Sequence, residues 1–340
     1  MTTMENIAPD DAKLYAELDR VAIDAPNGCL VAILGLGSEL YVEPRERGRL
    51  RLNMLKVQED YCLRFRPHKM RYEMEIIPNG HAIDLKDGEN PFAWVRGAMG
   101  GWPAHRSYYN LLLSQFSHPD YSGKCHHKVT PWASNVFVAA EKHDDKLSYH
   151  SAYMPLVGKN NRLHFDLLRK CVLNWAKILR PAHGLAGATV ITEIGAGMSA
   201  EPYTYATLRR YPGLDIQTPV SFINETKGKF NRIKCVNWLT VLGDAILAEL
   251  GGVEAARKAL EPECTLYPYP GGLLIQAGPL PRWGDTARGL LPEAYCAVAH
   301  FTQAVRFTGY RGSLFHVFAP MIGCEEAEKW VRRFDEPVGS

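Results

Sequence analysis

Apolar residues recur along this chain in three rhythms, and each rhythm predicts an element. Helical spacing places Leu50, Met54, Val57 and Tyr61 on one face within 46–66. It does so more strongly over 163–179, where Phe165, Leu168, Val172, Trp175 and Leu179 align before Pro181-Ala182-His183-Gly184 ends the helix. A further helix is expected over 8–23, with Pro9, Asp10 and Asp11 in its first turn and Leu14, Leu18, Val21 and Ala22 on one face. Strict alternation in MRYEMEI (70–76) predicts a strand half open to water, followed by a short strand around 83–85 and the apolar FAWV at 92–95. Continuous apolar runs predict covered strands at 30–36, ahead of a Gly35-Leu36-Gly37-Ser38 turn, and at 187–194. Residues 135–140 and 147–154 read as a hairpin turning at 143–146.

The stretch 231–289 organises the rest. Cys235, Val236, Trp238, Leu239, Val241 and Leu242 read as a strand covered on both faces. Gly243-Asp244 turns into a helix carrying Ile246, Leu247 and Leu250, which Gly251-Gly252 stops. A second short helix leads to a buried strand at Leu273, Leu274 and Ile275, and Pro279, Pro281 and Gly284 stiffen the exit. Near the end come a helix at 292–303, a strand at 314–318 and a terminal helix with Trp330, Val331 and Phe334 inward and Lys329 to Asp335 as a solvated face. The tract 96–131 is the least regular, with a short helix expected at 107–116, and is a candidate binding surface. Together these elements predict an α+β (mixed α/β) fold: central, mostly antiparallel or mixed sheets flanked by helices.

Composition changes this picture little. Of 340 residues 46% are hydrophobic and 22% charged, as in ordinary globular proteins. The 39 basic and 37 acidic residues leave a formal charge of +2, too balanced for a nucleic-acid coat or a membrane-surface protein. No window reaches the roughly 18 apolar residues a membrane span needs, and the polar, acidic start lacks a signal-peptide pattern. Eight cysteines without a CxxC pair sit mostly in apolar runs, as reduced small hydrophobes would. No disulfide framework is expected, and a cytoplasmic location is favoured.

Three patterns suggest chemistry. Val190 to Gly197 (VITEIGAG) resembles the first nucleotide-binding motif of S-adenosylmethionine methyltransferases, with Glu193, Gly195 and Gly197 at the ligand and Asp215 downstream as the ribose acid. Ser199 replaces the usual third glycine, and a plain turn between a buried strand and a helix explains the motif as well. His118, Cys125, His126, His127, His143 and His150 suggest a metal, yet adjacent histidines point apart on an extended chain and no second ligand pair is present. Hydrogen-bonded loop histidines fit better. Asp285 of the WGD turn (283–285) is best read as a cap on backbone amides. Motifs for G-x-S-x-G hydrolases, H-E-x-x-H metalloproteases and P-loops are absent from the sequence.

Read together, VNWLTVLGDAILAELGG (236–252), GGLLIQAGPLPRWGD (271–285), and Trp330, Arg333, Phe334 and Asp335 resemble the bacterial type VI secretion immunity family of the TsiV kind. RPAHGLAG (180–187) and GLDI (213–216) extend the likeness, which runs over about 28–335. The resemblance divides the chain into an N-terminal helix (1–27), an immunity domain (28–335) with room for lobes at 28–158 and 159–335, and a tail (336–340). It implies a non-enzymatic cytoplasmic protein that neutralises a cognate type VI effector by occluding its active site or substrate groove. The implied partner is a nuclease of restriction-endonuclease-like type, expected to be a DNase, with no catalytic residue, cofactor or metal in the inhibitor and no direct contact with nucleic acid or membrane. Such an inhibitor should bury a standard interface of roughly 1,600 Å². Loop aromatics would anchor it and carboxylates would imitate phosphates. The candidates are Trp102, Tyr108, Tyr109, Tyr121 and Trp132 with Asp84, Asp87, Glu89, Asp144 and Asp145.

Overall fold

The computed structural model describes residues 15, 17–18, 21–45, 47–65, 70–75, 81–84, 92, 96, 109–115, 129–139, 143–158, 163–192, 197–312, 314 and 323–335. Within them one sheet runs through the whole molecule. Its strands are β1 (Ala22–Asp24), β2 (Leu30–Val42), β3 (Met70–Glu75), β4 (His81–Asp84), β5 (Tyr109–Gln115), β6 (Ala133–Val138), β7 (Ser148–Met154), β8 (His183–Thr192), β9 (Asp215–Ile216), β10 (Leu239–Gly243), β11 (Cys264–Tyr269) and β12 (Gly272–Ala277). Their order is β11-β12-β10-β8-β2-β7-β6-β5-β3-β4, with β1 added to β2 and β9 to β8. Every pairing is antiparallel except β8 with β9. The expected α+β fold, helices on a mostly antiparallel sheet, is the one observed.

Strand β2 is the spine, pairing with β7 along one edge and with β8 along the other. It runs straight through the predicted Gly35–Ser38 turn. The reason is close packing: a Cβ at Gly35 would lie 2.3 Å from Ile191 Cδ1, and one at Gly37 would lie 2.6 Å from Gln217 Nε2. These glycines admit neighbouring groups onto a flat strand; they do not bend it.

Helices α1 (Arg47–Phe65) and α2 (Phe165–Leu179) pack against one another. All five predicted core positions of α2 are buried, each worth roughly 1.5–3 kcal/mol as an apolar side chain removed from water. Polar contacts fix how the helices seat. Trp175 Nε1 donates to the Asp60 carboxylate at 2.8 Å, Asn53 Nδ2 to the Ile178 carbonyl at 3.2 Å, and Tyr61 OH to the Tyr153 carbonyl of β7 at 2.7 Å. Directly paired residues share a sheet face, so Leu40 and its partner His150 point toward Trp175, while Glu39 points away. The remaining helices are α3 (Gly197–Arg210), α4 (Pro219–Glu225), α5 (Asp244–Glu249), α6 (Gly252–Leu260), α7 (Glu293–Phe301) and α8 (Cys324–Val331).

Several expectations are corrected. The helix expected over 8–23 does not reach its predicted end, since Ala22–Asp24 pairs with β2: an exposed edge of the central strand outcompetes a weak helical pattern. Residues 107–116 hold strand β5, sandwiched between β3 and β6, because YNLLLSQ gains two ladders that no isolated short helix can match. His183 and Gly184 open β8 and do not belong to the helix end. Of 235–242 only Leu239 onward is strand, although Cys235, Val236 and Trp238 are buried as expected. Cys29 is disulfide-bonded, its partner outside the described side chains, whereas Cys62, Cys171, Cys235, Cys264 and Cys296 are free; spacing alone cannot reveal a bond between distant cysteines. The expected segments at 92–95 and 314–318 lie outside the described residues apart from Phe92 and Leu314.

Candidate functional site

Away from α2, the sheet carries a sealed ionic cluster. Glu39 of β2 and Lys234 are fully buried, and Asp215 of β9 is 2% exposed. Lys234 Nζ lies 3.0 Å from Glu39 Oε2 and 3.8 Å from Asp215 Oδ2, and donates to the Ile216 carbonyl at 3.0 Å. Tyr41 OH donates to Glu39 at 2.7 Å. From the C-terminus, Arg333 brings Nη2 to 3.9 Å from Asp215 Oδ1 and donates through Nε to the Pro212 carbonyl at 2.7 Å. Burial works against the Lys234 charge, and the Asp215 and Glu39 carboxylates more than offset it, so its pKa lies above the ordinary lysine value. Burial also raises Glu39. Nearby, Arg306 pairs with Asp335 and donates to the Ala299 carbonyl at 2.8 Å. Two of the sequence elements behind the family resemblance, GLDI (213–216) and the C-terminal residues around Arg333 and Asp335, therefore enter this ionic network. Trp330, Val331 and Phe334 are buried as expected, but Arg333 and Asp335 are not part of a solvated face: both side chains are under 10% exposed and ion-paired.

This cluster gives the methyltransferase reading no support. Asp215, the would-be ribose acid, is engaged by Lys234 and Arg333. Apart from its short parallel pairing with β9, strand β8 runs antiparallel to its long neighbours β2 and β10, where that motif belongs to a parallel sheet. Gly197 begins α3; Glu193 and Gly195 lie outside the described residues.

Of the candidate metal ligands, His150 is fully buried and shares a hydrogen bond with Ser134 Oγ at 3.1 Å, and burial pushes its pKa down to about 3. His143 is half-buried in the β6–β7 turn. Among the described residues no group of His, Cys, Asp or Glu converges as a metal would require; 118 and 125–127 lie outside them. Asp285 does cap its turn, accepting from Ala287 N at 3.0 Å, and Arg210 holds its carboxyl below the usual carboxylate range.

The proposed contact residues separate. Sheet register sets Tyr109 opposite Val138, at the end of the sheet where the 143–146 turn carries exposed Asp144 and Asp145. That turn is docked: Asp145 O accepts from Gly228 N at 2.8 Å, and Lys146 Nζ donates to Asn224 Oδ1 at 2.9 Å. Asp84, opposite Arg71, falls at the other end, as does Trp132 just before β6. The half-buried Trp132 ring packs on Phe65 and His164, at centroid distances of 5.8 and 5.6 Å. Trp102, Tyr108, Tyr121, Asp87 and Glu89 lie outside the described residues.

A feature the sequence reading missed is a basic cleft of about 450 Å³ between the start of α1 and the end of α2. Arg45, Arg49, Lys56, Lys177 and Arg180 line it over a floor that includes Leu50 and Leu179. All five cations are exposed and both leucines buried. Arg49, Asn53 and Lys56 recur at i, i+4 and i+7 and so share a helix stripe, a signal legible in the sequence.

A search of curated proteins finds no match. Among solved structures, the T6SS protein PA0821 of Pseudomonas aeruginosa is similar with a TM-score of 0.79 at 22% identity, over 97% of this chain and 92% of that one; at that identity the likeness concerns the fold. A family model described as TsiV, type VI immunity for VRR-NUC, matches residues 117–334, and so takes in β6 through α8 and most of the ionic cluster. With well over half of its length matched, the chain belongs to the TsiV family of type VI immunity proteins.

Proposed function

We propose that this protein binds a VRR-NUC nuclease effector of type VI secretion and neutralises it by covering the groove that takes its nucleic-acid substrate. The family match over 117–334 carries the reading. The architecture supports it: a large sheet with a sealed, ion-paired interior is a platform, and function on such platforms sits on the surface. Exposed Asp144 and Asp145, held on a docked turn, are proposed contacts, with DNA as the effector's substrate and the cytoplasm, where that DNA lies, as the place of action.

The experiment is co-expression with the effector encoded beside this gene. Cells should survive effector induction only with this protein present, and the two should co-purify. Death of co-expressing cells together with failure to co-purify would sink the proposal. Nuclease assays on purified effector then decide the mechanism: occlusion requires this protein and substrate DNA to compete.

A further inference from the structure

We infer that the basic cleft between α1 and α2 is a docking site for a carboxylate-rich segment of the effector; this rests on the binding function proposed above. Among the described residues the charge there is concentrated and has no carboxylate partner. Elsewhere on the described surface many cations find partners: Arg64 with Asp60 at 2.8 Å, Arg169 with Asp166 at 2.5 Å, Arg232 with Glu249 at 3.0 Å, Arg257 with Glu254 at 2.7 Å and Lys329 with Glu326 at 2.7 Å. Among the described residues, Arg45, Arg49, Lys56, Lys177 and Arg180 form no ion pair, and no carboxylate lines the cleft.

Local structure does not account for the five. Cations at a helix C-terminus offset its dipole, which would explain Lys177 and Arg180 at the end of α2. Arg45 and Arg49, however, stand at the start of α1, whose first turn contains no acid. A positive charge at that end is opposed by the helix dipole. Two basic stripes of like charge therefore face one another across a cleft at a cost to the isolated fold, an arrangement that a polyanion would relieve. Arg180 adds a second cost. It is the one non-glycine residue with positive φ, 46°, among the described residues, at a C-cap where glycine is usual. Its stem rests over Gly271, whose Cβ, if present, would lie 3.1 Å from Arg180 Cγ, so the guanidinium is held beside the cleft.

The lining favours protein carboxylates over nucleic acid. Among the described residues no aromatic ring lines the cleft to stack a base, and the chain as a whole is nearly neutral. The leucine floor suits a peptide segment that mixes acidic and aliphatic side chains.

The test uses the full-length protein with two double variants, Arg49→Gln/Lys177→Gln and Arg49→Glu/Lys177→Glu. Both positions are exposed, and circular dichroism with melting curves checks that each variant folds. Titrated against the purified effector, the neutral variant should bind about tenfold more weakly and the reversed variant weaker still, with the differences shrinking as salt rises. A fluorescent octaglutamate peptide should bind the wild type at low salt and lose binding in both variants. Unchanged effector affinity in the folded variants overturns this inference and leaves the functional reading standing. Failure of the wild type to bind the effector removes that reading and this inference with it. Tighter cleft-dependent binding of an octanucleotide than of the peptide overturns the inference in favour of a nucleic-acid site.

Discussion

The Lys234 cluster and the α1–α2 cleft both concentrate charge, and they do so by opposite rules. In the cluster a cation at 0% exposure is matched with two carboxylates and a carbonyl, and a tyrosine hydroxyl donates to one of those carboxylates. In the cleft five cations face water with no matching anion among the described residues. Charge removed from water must be neutralised within the chain, since an unpaired buried ion is strongly destabilising. Charge left in water need not be, because solvent screens it at small cost. The first region ties together β2, β9 and the C-terminus, and so specifies the fold; the second leaves its balance to a partner.

The largest expected effect tests the first half of that contrast. Lys234→Met strands Glu39 and Asp215 and should cost about 3–5 kcal/mol in denaturant unfolding, with Glu39→Gln recovering part of the loss. A change within experimental error would show that the cluster does not organise the core. Trp238→Ala belongs to the same core and should cost a similar 3–5 kcal/mol or slightly less, since the ring is 1% exposed and its Nε1 donates to the Gly278 carbonyl at 3.1 Å.

Acid should expose the sealed interior next. Burial pushes His150 and His183 down to about 3 from an ordinary 6.5. Below 6.5 the unfolded chain binds protons that the folded chain refuses, so this contribution is complete above about pH 6.5 and is lost as pH falls toward 3. The expected slope is about 1.4 kcal/mol per pH unit for each histidine. His150→Gln should remove one histidine's share of the slope in unfolding curves taken between pH 6 and pH 4; an unaltered slope counts against a neutral buried His150.

The smallest effects on stability belong to the surface. Arg49→Gln/Lys177→Gln should shift unfolding by no more than about 0.5 kcal/mol, and a large loss would mean that the cleft is structural after all. Asp285→Ala removes a turn cap and the Arg210 contact, yet the protein should stay folded and still rescue effector-expressing cells. A folded variant without protection would place function in the 283–285 turn.

How far the sequence reached depended on the range of the interactions involved. The 163–179 helix, the 135–154 hairpin, the buried strand at Leu273–Ile275 and the Asp285 cap were legible because each has a signal within a few residues. Strand β5 was misread because its stability lies in its pairing with β3 and β6. Gly35 and Gly37 suggested a turn because a sequence cannot show Ile191 or Gln217 pressing on a strand. Lys234 and Arg333 drew no attention as ion-pair partners, for Glu39 lies 195 residues from Lys234.

By itself, then, the sequence determined the local periods, the caps and an ordered set of motifs sufficient to identify the family, since all of these are written in near neighbours or in linear order. The tertiary structure decided which charges meet. It buried Asp215 between Lys234 and Arg333, where a ribose acid had been expected. It also set Arg49 across from Lys177, two ordinary surface cations until the packing of α1 on α2 made them walls of one cleft. Electrostatic energy depends on distance in space and on exclusion of water, and neither quantity exists until the chain has folded.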